Sequence, residues 1–226
     1  MIEASRIDHA GHANDAVGHI HDTLMYNSVM AYVKEYIDVH PDTQLMSAAD
    51  HECGGLTLGD GYNPTVLQKA TKTPEYLGAL FSAHTGDKTA HLKSNFLRHY
   101  GLENVSNDDV KLPLSIADER NVPAMRIAAG NMLASEAGLH WSTEAHTAAD
   151  VLLYGYANDQ ALKAMKDLMG KSNDNTELPR YIEKVLDLDL NNATLALRQG
   201  GIDWVGKRDE LPALKSLSKW HTHAHS

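Results

Sequence analysis

Val17, Ile20, Leu24, Val29, Met30, Val33 and Ile37 recur at roughly helical spacing. They predict one long helix over 14–39 with a buried apolar stripe. Asn14-Asp15 can cap its start. His40-Pro41 ends it, because the residue before a proline avoids helical backbone angles. Thr43 to Ala49 then predicts a short buried strand leading into Asp50-His51. Met1-Ile2 reads as the last apolar step of a strand, and Glu3 with the small residues after it as a loop. Gly54-Gly55 signals a turn or a close approach of backbones, followed by a short strand at 56–58. From Pro74 to Ala137 the pattern is mostly helical, with breaks expected at Gly86, Gly101 and Pro113. Asp150 to Tyr156 predicts another strand, and helices follow at 158–169 and 177–188. The tail from Asn191 is weakly patterned.

Strand, loop, helix, strand is the order of a parallel sheet with crossover helices. The expected fold class is therefore α/β, a largely parallel sheet flanked by helices and incomplete at its N-terminus. Residues 1–226 form one domain or part of one, with a mostly helical insertion at about 60–140.

Composition sharpens this only where chemistry is concerned. The chain is ordinary globular material, 42% hydrophobic and 22% charged. Its formal charge of −10 argues against nucleic acid held on a basic surface. One cysteine, Cys53, excludes an internal disulfide framework. No apolar run has the length of a membrane span, and residues 1–6 are not a signal peptide. The 14 histidines, several beside acids, make metal binding the first chemistry to consider.

Three clusters combine acids and histidines near predicted strand ends: Glu3, Asp8, His9 and His12; Asp50-His51; and His146 ahead of Asp150. Asp8 and His12 are four apart, which on a helical turn or tight loop puts carboxylate and imidazole on one side. Zinc accepts both ligand types. Asp50 and His51 can meet one ion only if the strand ends there and the chain turns. Each cluster alone has a plainer reading. An Asp four residues before a His is more often a cap or surface pair, and Glu3 alone is most often simply exposed.

The strings themselves are more specific. Ile2-Glu3-Ala4-Ser5-Arg6-Ile7-Asp8-His9-Ala10-Gly11-His12 resembles a metal-binding segment of alkaline phosphatases. So do Ala48-Ala49-Asp50-His51-Glu52 with Gly54-Gly55-Leu56-Thr57-Leu58, and His146-Thr147-Ala148-Ala149-Asp150-Val151, in the family's order. The wording is most like the fungal, vacuolar type. The resemblance implies that Asp8, His12 and His146 are ligands of a first zinc, Asp50 and His51 of a second zinc, and Glu3 of a magnesium. His9 matches a position near the phosphate. It further implies hydrolysis of phosphate monoesters, a homodimeric intact enzyme, and a vacuolar or secretory location.

The family's nucleophile is a serine in an Asp-Ser-Ala segment, and no such segment occurs in these residues. The chain is therefore expected to be the C-terminal part of such an enzyme and inactive alone. Two alternatives stand beside this reading: a non-catalytic zinc-binding fragment, and a related metallohydrolase or mutase of the same fold. His19 and His21 on the long helix are expected in surface or packing roles. Cys53 is expected as a buried free thiol, and Trp141, Trp204 and Trp220 as packing residues. The histidines of the tail, His221, His223 and His225, read as a solvated terminus. Asn104-Val105-Ser106 and Asn192-Ala193-Thr194 are glycosylation sequons that mildly favour a secretory route.

Overall fold

The structure, a computed structural model, describes residues 1–116 and 122–199. Trp204, Trp220 and the tail histidines lie outside these. The chain divides into two compact units, 1–156 and 157 onward. Both ladders lie in the first.

That unit opens with α1 (Arg6–His12) and α2 (Ala16–Val39). Asp15 caps α2 by accepting from the Val17 N–H at 3.1 Å. Asn14 makes the turn between the helices at φ 50°. The strands β1 (Leu45–Ala48) and β2 (Thr57–Leu58) follow. A 3-10 turn at Pro64–Lys69 leads to α3 (Pro74–Ala83). Then α4 (Lys88–His91) widens into a π-helical stretch at Leu92–Leu97. After α5 (Lys111–Ile116) and α6 (Val122–Glu136), β3 (Leu139–His140) and β4 (Leu153–Tyr156) complete the unit. The second unit holds α7 (Asp159–Met169), α8 (Glu177–Val185) and α9 (Leu190–Gln199).

The largely parallel sheet is not found among the described residues. β1 pairs antiparallel with β4, Leu45 opposite Tyr156, and β2 antiparallel with β3, Thr57 opposite His140. A parallel neighbour for β1 required Met1-Ile2 to be a strand, and those two residues are exposed coil. Glu3, Ala4 and Ser5, read as a loop, are outside regular structure, and α1 begins directly after them at Arg6. Pro113 breaks nothing: it sits in the first turn of α5, where its missing N–H has no partner to lose.

The core lies where the helical stretch after β2 meets the start of α2. Leu92, Phe96, Leu97, Tyr100, Met125, Ala129 and Leu133 are fully buried there, with Ala16 and Val17 packed among them. The expected stripe along α2 is buried only at its ends, at Val17 and Ile37; Leu24 is 57% exposed. The middle of α2 meets β1 through Tyr26, whose hydroxyl lies 2.8 Å from Ser47 Oγ.

One buried polar node ties this core to the first turn of α2. Asp15 accepts from the Tyr100 hydroxyl at 2.9 Å, and both side chains are buried. Burial pushes the Asp15 carboxyl above its ordinary 3.8, against the opposing hydrogen bonds from Gly18, Tyr100 and Val17. The folded chain thus holds this proton more tightly than the unfolded one. The group's stabilising contribution is complete below the unfolded value and is lost as pH rises through the folded value. Asp15→Asn keeps an acceptor and removes the ionisation. Its stability relative to wild type should rise from about pH 4 to about pH 7 in denaturant titrations. A difference that stays flat with pH contradicts this.

Candidate metal centre

α1, the loop after β1 and the loop between β3 and β4 meet at one point, and glycine makes the meeting possible. Gly54 has φ +84°, and a Cβ there would fall 2.6 Å from the Trp141 ring and 2.9 Å from the Gly11 carbonyl. Gly55 has φ +58°, and its Cβ would collide with Ser142. Only glycine tolerates both the positive φ and the contact. The Gly54 N–H donates to Ala145 O at 2.9 Å, and Ser142 N–H donates back to Gly54 O at 3.1 Å.

Five of the seven residues singled out in the sequence come together here. His12 Nε2 lies 3.5 Å from Asp8 Oδ1. His51 Nε2 lies 3.3 Å from Asp50 Oδ2, because β1 stops at Ala48 and the chain bends at Asp50. Donors about 2.0–2.2 Å from a tetrahedral zinc stand about 3.3–3.6 Å apart, so each pair spans one edge of such a site. The His146 ring stacks on His51 at 3.6 Å between centroids and lies 5.1 Å from His12. His51 Nδ1 is a further 3.8 Å from Asp8 Oδ1, which joins the two pairs.

The ring nitrogens are disposed for ligation. His12 Nδ1 donates to the Glu144 carbonyl at 2.5 Å, and His51 Nδ1 to the Glu52 carbonyl at 3.1 Å. A carbonyl only accepts, so Nδ1 carries the proton on both rings. Nε2 of each ring is the atom that faces the neighbouring carboxylate. Asp8 Oδ1 is buried with no hydrogen-bond partner. An orphaned carboxylate oxygen facing two imidazoles is a costly arrangement without a cation. The donor set and this orphaned atom fit zinc.

Glu3 and His9 are placed elsewhere. Glu3 lines a cleft of about 200 Å³ with Asp22, Met25 and Tyr26. None of the five clustered residues lines that cleft. His9 is exposed, its Nδ1 3.4 Å from an Arg6 guanidinium that also pairs with Glu75 at 2.8 Å. His19 stands edge-on to Trp141 at 6.1 Å, a packing role, and burial pushes its pKa down.

Two residues beside these acid–histidine pairs had no assigned chemistry in the sequence. The Cys53 thiol is half-buried, and its Sγ lies with donors of Asp8 and His12 inside a 4.8 Å group. Burial, then the nearby carboxylates, push this thiol up to about 12, so without a metal it stays protonated and inert. The Glu52 carboxylate accepts from Gly55 N–H at 2.9 Å, from Thr147 N–H at 3.2 Å and from the Thr147 hydroxyl. Burial alone would raise its pKa, but these donors and Leu56 N–H outweigh it and hold the carboxyl below its usual range. The available signal was position: an acid directly after the Asp50-His51 pair and three residues before a glycine.

The family model for alkaline phosphatase matches residues 1–188. The chain belongs to the alkaline phosphatase family. It is 30% identical over 218 residues to the repressible alkaline phosphatase of Saccharomyces cerevisiae, covering 88% of this chain and 38% of the yeast protein. It is 27% identical over 224 residues to an alkaline phosphatase of Schizosaccharomyces pombe, covering 93% of this chain and 40% of that one. The chain thus spans about two fifths of the length of these relatives. Among solved structures, the cold-active alkaline phosphatase of a psychrophilic Shewanella superposes with a TM-score of 0.58 at 23% identity. That match covers 71% of this chain and 39% of the other. The Thermus thermophilus alkaline phosphatase gives 0.58 at 22%, covering 69% and 37%. The fold is that of an alkaline phosphatase, even though the described residues carry only small antiparallel ladders.

Proposed function

We propose that this chain is the metal-binding C-terminal part of an alkaline phosphatase that hydrolyses phosphate monoesters. The observation that carries the reading is the convergence of Asp8, His12, Asp50, His51 and His146, with the orphaned Asp8 Oδ1 of the first pair facing His51 of the second. Asp8, through Oδ1, and His12, through Nε2, would hold one zinc with His146. Asp50, through Oδ2, and His51, through Nε2, would hold a second. Glu3 would offer one oxygen to a magnesium, a role supported by the resemblance of its segment. The zinc ions, when bound, supply positive charge for the attacking and leaving oxygens of an in-line phosphoryl displacement.

The chain's own residues fix the geometry. The Glu144 and Glu52 carbonyls hold the tautomers of His12 and His51. Buried Ala10 and Gly11 let α1 lie against Cys53, a Gly11 Cβ falling 3.2 Å from its Sγ. The attacking serine would lie outside these residues. A homodimer and a vacuolar or secretory location belong to the same proposal, supported by the fungal wording of the motifs and the two sequons. No helix among the described residues is long and apolar enough to cross a membrane.

The test pairs zinc analysis with a phosphatase assay. The purified chain should bind two zinc ions and leave p-nitrophenyl phosphate intact. Co-expression with the N-terminal part of a fungal relative should produce turnover. A chain that binds no zinc refutes the reading. A zinc-loaded chain that stays silent with its complement is a non-catalytic zinc-binding fragment.

A further inference from the structure

We propose that Glu52 is a positioning residue that locks the two metal-ligand loops to one another. The inference rests on the metal reading above and concerns a residue that holds no ion. Glu52 directly follows His51, and Thr147 directly follows His146, 95 positions further along the chain than Glu52. One carboxylate reaches both segments. Its Oε1 accepts the Gly55 N–H at 2.9 Å and so closes its own loop. Its Oε2 accepts the Thr147 N–H at 3.2 Å together with the Thr147 hydroxyl.

A carboxylate is the side chain that serves three donors with no donor of its own. The clip acts in parallel with the Gly54–Ala145 and Ser142–Gly54 backbone hydrogen bonds. Those fix the loops one and four residues before His146 and leave the residue directly after it to Glu52. The stacking of His51 on His146 is the geometry the clip maintains. Both ions therefore depend on Glu52, although each keeps all of its own ligands when Glu52 is changed.

The test uses the full chain and cobalt(II), whose visible bands report coordination geometry. Glu52→Gln turns an NH2 group toward one of the N–H donors and should weaken cobalt binding by about 10–100-fold. The band shape should change even at saturation. Thr147→Val, which removes one hydroxyl, should shift both readouts in the same direction by less, and Thr147→Ser should restore them. If Glu52→Gln does not fold, the Thr147 pair carries the test unaided. Folded variants with wild-type affinity and band shape overturn the proposal. So does a lowered unfolding midpoint with unaltered binding, the signature of a merely structural role. Wild-type chain that takes up no cobalt refutes the metal reading itself, and that outcome is visible before any variant is made.

Discussion

His146→Ala should lower the zinc content of the chain from two ions to one while leaving the fold in place. His146 is exposed, its ring stacked on His51 and 5.1 Å from that of His12. Truncation at such a position costs about 0.5 kcal/mol or less of stability. The first ion loses one of three protein ligands. Outer-shell changes cost about 10–100-fold in metal affinity, and removing a ligand exceeds that. The second pair keeps Asp50 Oδ2 and His51 Nε2 at 3.3 Å and should still bind. Zinc titration calorimetry with elemental analysis separates the two sites. His21→Ala, an exposed change on α2, is the matched control and should leave both ions. Unchanged zinc content in His146→Ala would remove His146 from the ligand set.

The residues of this site were legible because their chemistry is local. Asp8 and His12 are one helical turn apart, and Asp50 and His51 are adjacent, so short strings carry each pair. α2 was legible for a similar reason: an Asp cap begins it and His40-Pro41 ends it. α1 was not, because Arg6–His12 has no apolar stripe. What it buries is Ala10 and Gly11, chosen for close approach rather than for hydrophobic area. Strand partners were not legible either. β1 and β4 are four residues each and meet across more than a hundred positions, and a local pattern shows only that each is extended. The weakly patterned tail from Asn191 hid α9, which buries nothing among the described residues. The stripe on α2 shows the opposite limit. Periodicity identified the helix, yet burial depends on which neighbours arrive, and Leu24 stays 57% exposed.

Phe96→Ala should be the most destabilising single change in the first unit, by about 3–5 kcal/mol. Phe96 is 1% exposed on the π-helical stretch, in one cluster with Leu77, Phe81, Met125 and Leu133. Removing the ring leaves a cavity between helices that are packed on both sides, so collapse recovers little. A natural domain has about 5–15 kcal/mol in total. The loss therefore takes a large share of the stability that also holds the metal centre, since Ala16, Val17 and Leu139 in the same cluster anchor α2 and β3. Zinc can offset only part of it. An ion at 100 times its dissociation constant adds about 2.7 kcal/mol. Denaturant midpoints should fall sharply in Phe96→Ala and recover incompletely with zinc, while Phe96→Leu should fall much less. Full recovery with zinc would show that the metal loops, and not the helical core, set the stability of this unit.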